Sequence, residues 1–458
     1  MKSITVGDVV RWTGGQPQAV DNARSIARLI IDSRQAGPDA LFFALPGTKT
    51  DGHQYVHQVW AAGGLAVVRH DWHPADGRSG PAIRVADPLL AMGQMMRQAL
   101  SEWGVTVVGV TGSVGKTSVK ELTRQALSAV YAVDASVGNY NTAIGLPLSF
   151  FNGSAGITHF VAEMGMSAPG EIRYLTQIAP PRVAIITSIG PSHLERLGSM
   201  EAIQRAKGEI LEGVRPDGLA VLNRSNAWVR ALGERHRTTP VWWFGTDDDC
   251  EAQVLEARVE EQGTRFRIRV DREQVSLTLP WLGSHHGLNV AASLLTARFL
   301  GVDIQEAAHR LEQIEPTRSR IQMREHQGWT LLEDVYNASP ASMRAALDVL
   351  KTRAGRKIAV LGDMLELGTE EAAGHQEVGR YAAEVADWVI GIGPRSQLLV
   401  DACLSTGHSQ CRWFADGESA AAWLADFLMP GDTVLLKASR GMQFEKLATW
   451  LVSGRGAS

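Results

Sequence analysis

One short stretch, Gly109-Val-Thr-Gly-Ser-Val-Gly-Lys-Thr117, constrains this chain more than any other. The apolar β run Val105–Val110 leads into it and a helical pattern over Thr117–Val130 follows. A strand that turns through glycines into a helix lets backbone N–H groups curl around phosphate oxygens, and the helix N-terminus adds partial positive charge. Lys116 is placed to reach the β- and γ-phosphates of ATP and Thr117 to hold Mg²⁺. Gly112, Ser113, Val114, Gly115 and Ser118 complete the loop and the helix start. The commoner spacing puts a glycine where this chain has Val110, so the motif is the shorter G-x-x-G-K-T form. A Gly-rich turn without a ligand is the alternative, but Lys-Thr in register between strand and helix favours phosphate.

Around this loop the sequence reads as α/β in three domains, consistent with 458 residues at roughly 150 per domain. Residues 1–86 carry short strands, Leu41–Leu45 and Leu65–Val68, between Gly-, Asp- and Pro-rich turns, and form a small N-terminal α/β domain. Asp87-Pro88 then opens a helix, and Leu89, Met92, Met96, Ala99, Leu100 and Trp103 follow at helical spacing as a packing stripe. Residues 87–315 form a central P-loop parallel-sheet ATPase domain, with an antiparallel patch expected around 241–282. From 316 to 458 the strand–helix alternation restarts as a Rossmann-like C-terminal domain; its Gly391-Ile-Gly393 lacks the third glycine of a dinucleotide fingerprint and reads as a strand-ending turn.

The net charge of −4 gives no basic surface for nucleic acid or an anionic membrane. No apolar run approaches the ~20 residues that span a bilayer, and the start, MKSITVGDVVRWTGG, has no secretory signal. Cys250, Cys403 and Cys411 are far apart in sequence and odd in number, which fits neither a disulfide framework nor a zinc site. They read as reduced thiols of a cytoplasmic protein.

Downstream of the loop, Glu163 ends the strand Phe160–Glu163, where a parallel sheet opens onto its ligand crevice. His193 follows the next strand, and Lys207 lies in Arg205-Ala-Lys-Gly-Glu-Ile210. Taken singly, they read more simply as a helix cap, a surface or core histidine and a solvated lysine. Together and in order they are specific.

Residues 109–210 resemble the central domain of the Mur ligases, relatives of folylpolyglutamate synthase that extend the peptide of peptidoglycan precursors. The likeness rests on Gly112–Thr117, Asn139-Tyr-Asn-Thr-Ala-Ile-Gly-Leu-Pro147, Glu163, His193 and Ala206-Lys207. It implies that Thr117 and Glu163 hold one Mg²⁺, and that His193 and Lys207, modified by CO₂ to a carbamate, help hold a second. Lys116, His193 and Lys207 would be catalytic, with substrate contacts at Asn139, Asn141 and Thr142. Asp32-Ser33-Arg34, Ala40–Gly47 and Asp51-Gly52-His53 look like the family's uridine-binding domain, which implies that Ser33 and Arg34 meet a nucleotide sugar.

Glu333–Met343 and Val360–Gly368 resemble the branch that adds a dipeptide, and no Asp-Asn-Pro-Arg-like motif of the diaminopimelate-adding branch is present. The implied substrates are UDP-N-acetylmuramoyl-tripeptide and D-alanyl-D-alanine, with Asn337 and Ser339 among the contacts and a monomer expected. Arg320, Asp334 and Asn289 fall at the family's ATP contacts. The reaction implied is activation of a carboxylate as an acyl phosphate, then attack by an amine.

Two positions depart from the family pattern. His286 stands where Asn is usual, and Ala438 in Lys437-Ala-Ser-Arg440 replaces a glycine, a costly change if the backbone there needs positive φ. The competing classes are a kinase that stops at phosphorylation, a nucleotide-sugar sensor with a vestigial site, and folylpolyglutamate synthase, which has no uridine-binding domain.

Overall fold

The computed structural model describes residues 4–47, 50–315 and 321–453. Its architecture is α/β, built on three principal sheets in chain order. The N-terminal sheet runs Gln16–Gln18, Ala82–Val85, Leu65–Arg69, Ala40–Phe43, Arg28–Ile30, parallel except at its first pair. Its central strands are apolar and buried except for the terminal Arg69, as parallel strands covered on both faces should be.

The helix Pro88–Glu102 joins this sheet to the next. Asp87 caps it by accepting from the Leu89 and Leu90 amides at 2.7 and 3.1 Å. Its Met92, Met95, Met96 and Ala99 are buried in one apolar cluster that runs from Leu41 and Val67 to Phe150 and Leu175. Each buried Met contributes about 1.5–3 kcal/mol, so the anticipated stripe is the seam between the first two domains. Asn152 adds a polar tie, exchanging two 2.8 Å hydrogen bonds with the Leu29 backbone.

In the central nine-stranded sheet, Thr106–Thr111 lies between His159–Glu163 and Val183–Ile186, all parallel. The chain therefore leaves this strand at a point where its neighbours depart on opposite sides, the crevice where α/β sheets bind ligands. Ala252–Val259, Thr264–Val270 and Glu273–Leu279 form the expected antiparallel patch at the far edge.

The C-terminal sheet runs Gln322–His326, Trp329–Asp334, Asp432–Lys437, Arg356–Gly362, Trp388–Ile392, Cys411–Phe414, parallel but for its first hairpin. Trp388–Ile392 ends in Gly393 at φ +105, the turn anticipated there. The cysteines depart from expectation. The helix Ser396–Ser405 doubles back on Cys411–Phe414 and brings the Cys403 and Cys411 sulfurs to 2.7 Å, so two of the three are neighbours despite their sequence separation.

Candidate active site

The loop after Thr106–Thr111 can be made only with glycine at two positions. Gly112 has φ +153, and a Cβ on it would stand 1.9 Å from Thr187 Oγ1. Gly115, at φ +90, caps the helix Lys116–Leu127, and its Cβ would meet Asn289 Oδ1 at 2.9 Å. The first-turn amides of that helix have no intrahelical carbonyl to bond and are available to an anion at its start. The Lys116 ammonium folds back over the loop, donating to the Gly112 carbonyl at 2.7 Å.

Glu163 is 3 % exposed at the end of its strand. Thr117 Oγ1 donates to its Oε2 at 2.9 Å and Asn141 Nδ2 to its Oε1 at 3.0 Å. A hydroxyl and a carboxylate converging beside a phosphate loop are the hard oxygen donors that suit Mg²⁺.

Lys207 Nζ donates to the same Gly112 carbonyl at 3.1 Å. It is 2 % exposed. Burial, and secondarily the charge of Lys116, holds its pKa well below that of an ordinary lysine. His193 sits at φ +61 with Nδ1 2.7 Å from Glu366 Oε2. Burial lowers its pKa against the opposing effect of Glu366, and Lys207 and Lys116 lower it further. Lys116, Thr117, Glu163, Lys207 and Asn141 are thus drawn around one loop, with His193 within electrostatic reach.

The remaining candidates are placed less uniformly. The Ser113 and Val114 amides, expected to cradle phosphate, donate instead to Ser188 O and Oγ at 2.8 and 2.9 Å. Ser113 Oγ is tied to Gly190, and the Ser118 side chain is buried. Asn139 and Thr142 lie exposed on the loop that carries Asn141. Asn289 lies beside Gly115 and contacts His286 Nδ1 at 3.2 Å; His286 itself is buried against Trp281.

Asp334 accepts from Lys437 Nζ at 2.6 Å, and the same ammonium reaches Asn337 O at 3.0 Å. Ser339 caps the helix Pro340–Lys351 in a capping box with Ser342. Arg320 lies outside the described residues. Ala438 is not among the described residues with positive φ, so its replacement of glycine carries no backbone strain. Ser33 and Arg34 lie beside the separate N-terminal sheet, in the turn Ser33–Gln35 that follows its strand Arg28–Ile30 and is capped by Asp32. Arg34 binds Asp32 through Nε and Nη2 and holds that carboxyl down to about 2.

Residues 110–297 match the Mur ligase middle domain, 319–440 the Mur ligase glutamate ligase domain, and 25–100 the Mur ligase family catalytic domain. The UDP-N-acetylmuramoyl-tripeptide–D-alanyl-D-alanine ligase of Bacillus subtilis (strain 168) is 32 % identical over 98 % of this chain and 97 % of its own. The chain belongs to the Mur ligase family. Among solved structures, this Mur ligase superposes on MurF from Acinetobacter baumannii with a TM-score of 0.89 at 29 % identity, covering 99 % of both chains. MurF from Thermotoga maritima, solved in complex with ADP, gives 0.83 at 28 % identity over 93 % of this chain and 97 % of that one.

Two residues of this Mur ligase near the loop escaped the sequence reading. Lys120, one helical turn beyond Lys116, is fully buried and donates to Ser136 O at 2.7 Å and to Gly138 O at 3.3 Å, anchoring the segment that leads to Asn141. Its position on the helix face of Lys116 was the available signal. Glu366, inside the Val360–Gly368 motif, meets His193 across the domain boundary, and no local pattern announces that contact.

Proposed function

We propose that this Mur ligase joins D-alanyl-D-alanine to UDP-N-acetylmuramoyl-tripeptide at the expense of ATP, through an acyl phosphate. The observation that carries the reading is one constellation: Lys116 and Lys207 on the Gly112 carbonyl, with Thr117 and Glu163 paired beside it. It occurs in a chain that matches dipeptide-adding ligases over nearly its whole length.

The tripeptide's terminal carboxylate attacks the γ-phosphorus and ADP leaves. The dipeptide amine then attacks the acyl carbon and phosphate departs. Lys116 swings from Gly112 O to the transferring phosphoryl oxygens, and the amides of the helix start bind the β-phosphate. Thr117 and Glu163 would hold one Mg²⁺, and His193 with Lys207 a second; such ions, when bound, neutralise phosphate charge. We read Lys207 as the site of a carbamate. Its neutral nitrogen adds to the carbon of CO₂ and gives up a proton, leaving an anionic oxygen donor in place of an amine that would repel a cation.

Asn289 lies at the nucleotide side of the loop, with His286 behind it. Asn139, Asn141 and Thr142 would meet the acyl substrate. Asp334, Asn337, Ser339 and Arg320 belong to the C-terminal domain that receives the dipeptide and closes over ATP, excluding water from the acyl phosphate. We place the domain boundaries at 86/87 and 315/316. The reading also makes the protein a cytoplasmic monomer; among the described residues no helix is long and apolar enough to cross a membrane.

Ser33 and Arg34 serve the nucleotide sugar. Ser33 Oγ donates to Gln58 Oε1 at 3.1 Å, beside the N-terminal sheet and apart from the sheet that carries the phosphate loop. Ser33→Ala should therefore raise KM for the UDP substrate and leave KM for ATP unchanged; a selective change for ATP contradicts the assignment. The whole reading is tested by phosphate release. It should require the nucleotide-sugar tripeptide and D-alanyl-D-alanine together. Release without an amine would indicate a kinase, and equal turnover of a dipeptide precursor with a free diamino acid would indicate a different Mur ligase.

A further inference from the structure

D-alanyl-D-alanine carries a carboxylate at the end away from its reacting amine, and that charge calls for a cation on the domain that receives it. In a parallel sheet such a cation belongs at the carboxyl ends of the strands, where α/β folds take their ligands. Three stand there in the C-terminal sheet. Lys437 ends the strand Asp432–Lys437, is 2 % exposed, and donates to Asp334 at 2.6 Å. Arg395, three residues past Trp388–Ile392, donates to Glu371 at 2.6 Å and approaches Asp363 at 3.8 Å. Arg440, three residues past Asp432–Lys437, is exposed and has no carboxylate partner among the described residues. Its guanidinium carbon lies over the Tyr336 ring, 5.2 Å from the centroid. Tyr336 follows Trp329–Asp334, the strand paired in parallel with Asp432–Lys437, and directly precedes Asn337. This corner adjoins the central domain. Ser439 Oγ accepts from the Leu365 amide at 2.9 Å, and the next residue, Glu366, lies 2.7 Å from His193.

We infer that Arg440, supported by Tyr336, recognises the terminal carboxylate of the incoming dipeptide and so selects an acceptor with a charged far end. This rests on the ligase reading above and deepens it by assigning the acceptor's charged group. Lys437 and Arg395 already spend their charge on carboxylates of the same domain, whereas that of Arg440 is available. A guanidinium held over an aromatic ring uses none of its N–H groups for that contact. Its planar fork is therefore left to meet the two oxygens of a carboxylate side by side. Anchoring the dipeptide at that end orients the amine at the other. A merely solvated surface arginine would leave the choice of acceptor untouched.

The test uses the full-length enzyme and two acceptors, D-alanyl-D-alanine and D-alanyl-D-alaninamide, which differ in the terminal charge. The wild-type enzyme should prefer the acid by about 10–100-fold in kcat/KM, the range of a hydrogen-bonded charged pair. R440M removes the charge and keeps an apolar stem against Tyr336. It should raise KM for the acid by a similar factor, leave KM for ATP and for the nucleotide sugar unchanged, and abolish the preference for acid over amide. R440K, which keeps the charge without the planar fork, should restore part of that preference. A wild-type enzyme that joins acid and amide equally well overturns the inference and leaves the ligase reading standing. So does R440M with the wild-type preference, or with its defect in KM for ATP instead. Failure of the wild-type enzyme to join the dipeptide at all overturns the ligase reading and this inference with it.

Discussion

Lys116→Ala lowers ligation by about 10²–10³-fold, equivalent to ~3–4 kcal/mol of lost electrostatic stabilisation, while the protein stays folded. The two halves of that expectation come from one location. Lys116 is the first residue of its helix, half-buried, with its ammonium on the Gly112 carbonyl rather than in the core. Truncating it removes no large packed surface, and alanine is a good helix former. What it removes is a cation poised over the phosphate loop, where it would act most strongly as charge moves in the transition state. Single-turnover phosphate release measures the loss directly. A variant retaining more than half of wild-type activity contradicts the assignment of this loop to phosphate.

Lys207→Ala is nearly inactive and is partly rescued by small carboxylic acids, but not by amines. The side chain is among the largest fully buried ones in the molecule, so its removal leaves room that formate or acetate can enter. An acid restores the anionic oxygen of a carbamate, whereas an amine restores a cation, so the rescuing agent reports the sign of the missing group. Rescue by amines alone contradicts the carbamate.

Stability carries a second signature of the same chemistry. The folded pKa of Lys207 is lowered, so between that value and the unfolded value near 10.5 the unfolded chain binds the extra proton. An unmodified Lys207 therefore opposes folding at neutral pH, and the opposition fades as pH rises toward 10.5. The proposed carbamate, formed in the folded state, would relieve it at neutral pH. Added bicarbonate should thus raise the Tm of the wild-type enzyme and leave that of Lys207→Ala unchanged.

The parts of the site legible in the sequence are those the chain brings together through a single sheet. Gly112–Thr117 is contiguous, and Glu163 ends a strand paired directly to the strand before the loop, so register alone brings Thr117 and Glu163 together. Parallel strands with both faces covered and the Asp87-Pro88 helix start were readable for the same reason: each is a local pattern. What was not readable depends on tertiary docking. Ser188 takes the Ser113 and Val114 amides because the loop after the next strand lies over the phosphate loop. Cys403 and Cys411 meet because a helix turns back on an edge strand. Glu366 reaches His193 only through the packing of two domains. Ser339 carries a local signal of a different kind, a capping box with Ser342 that starts the helix Pro340–Lys351.

The central claim is that the tripeptide carboxylate is phosphorylated before the amine attacks. Labelling both oxygens of that carboxylate with ¹⁸O and turning over with ATP and D-alanyl-D-alanine tests it most directly. One labelled oxygen should appear in each phosphate released, in equal amount to the new peptide product, because the bridging oxygen of the acyl phosphate leaves with phosphorus. Product formed with wholly unlabelled phosphate would contradict the account.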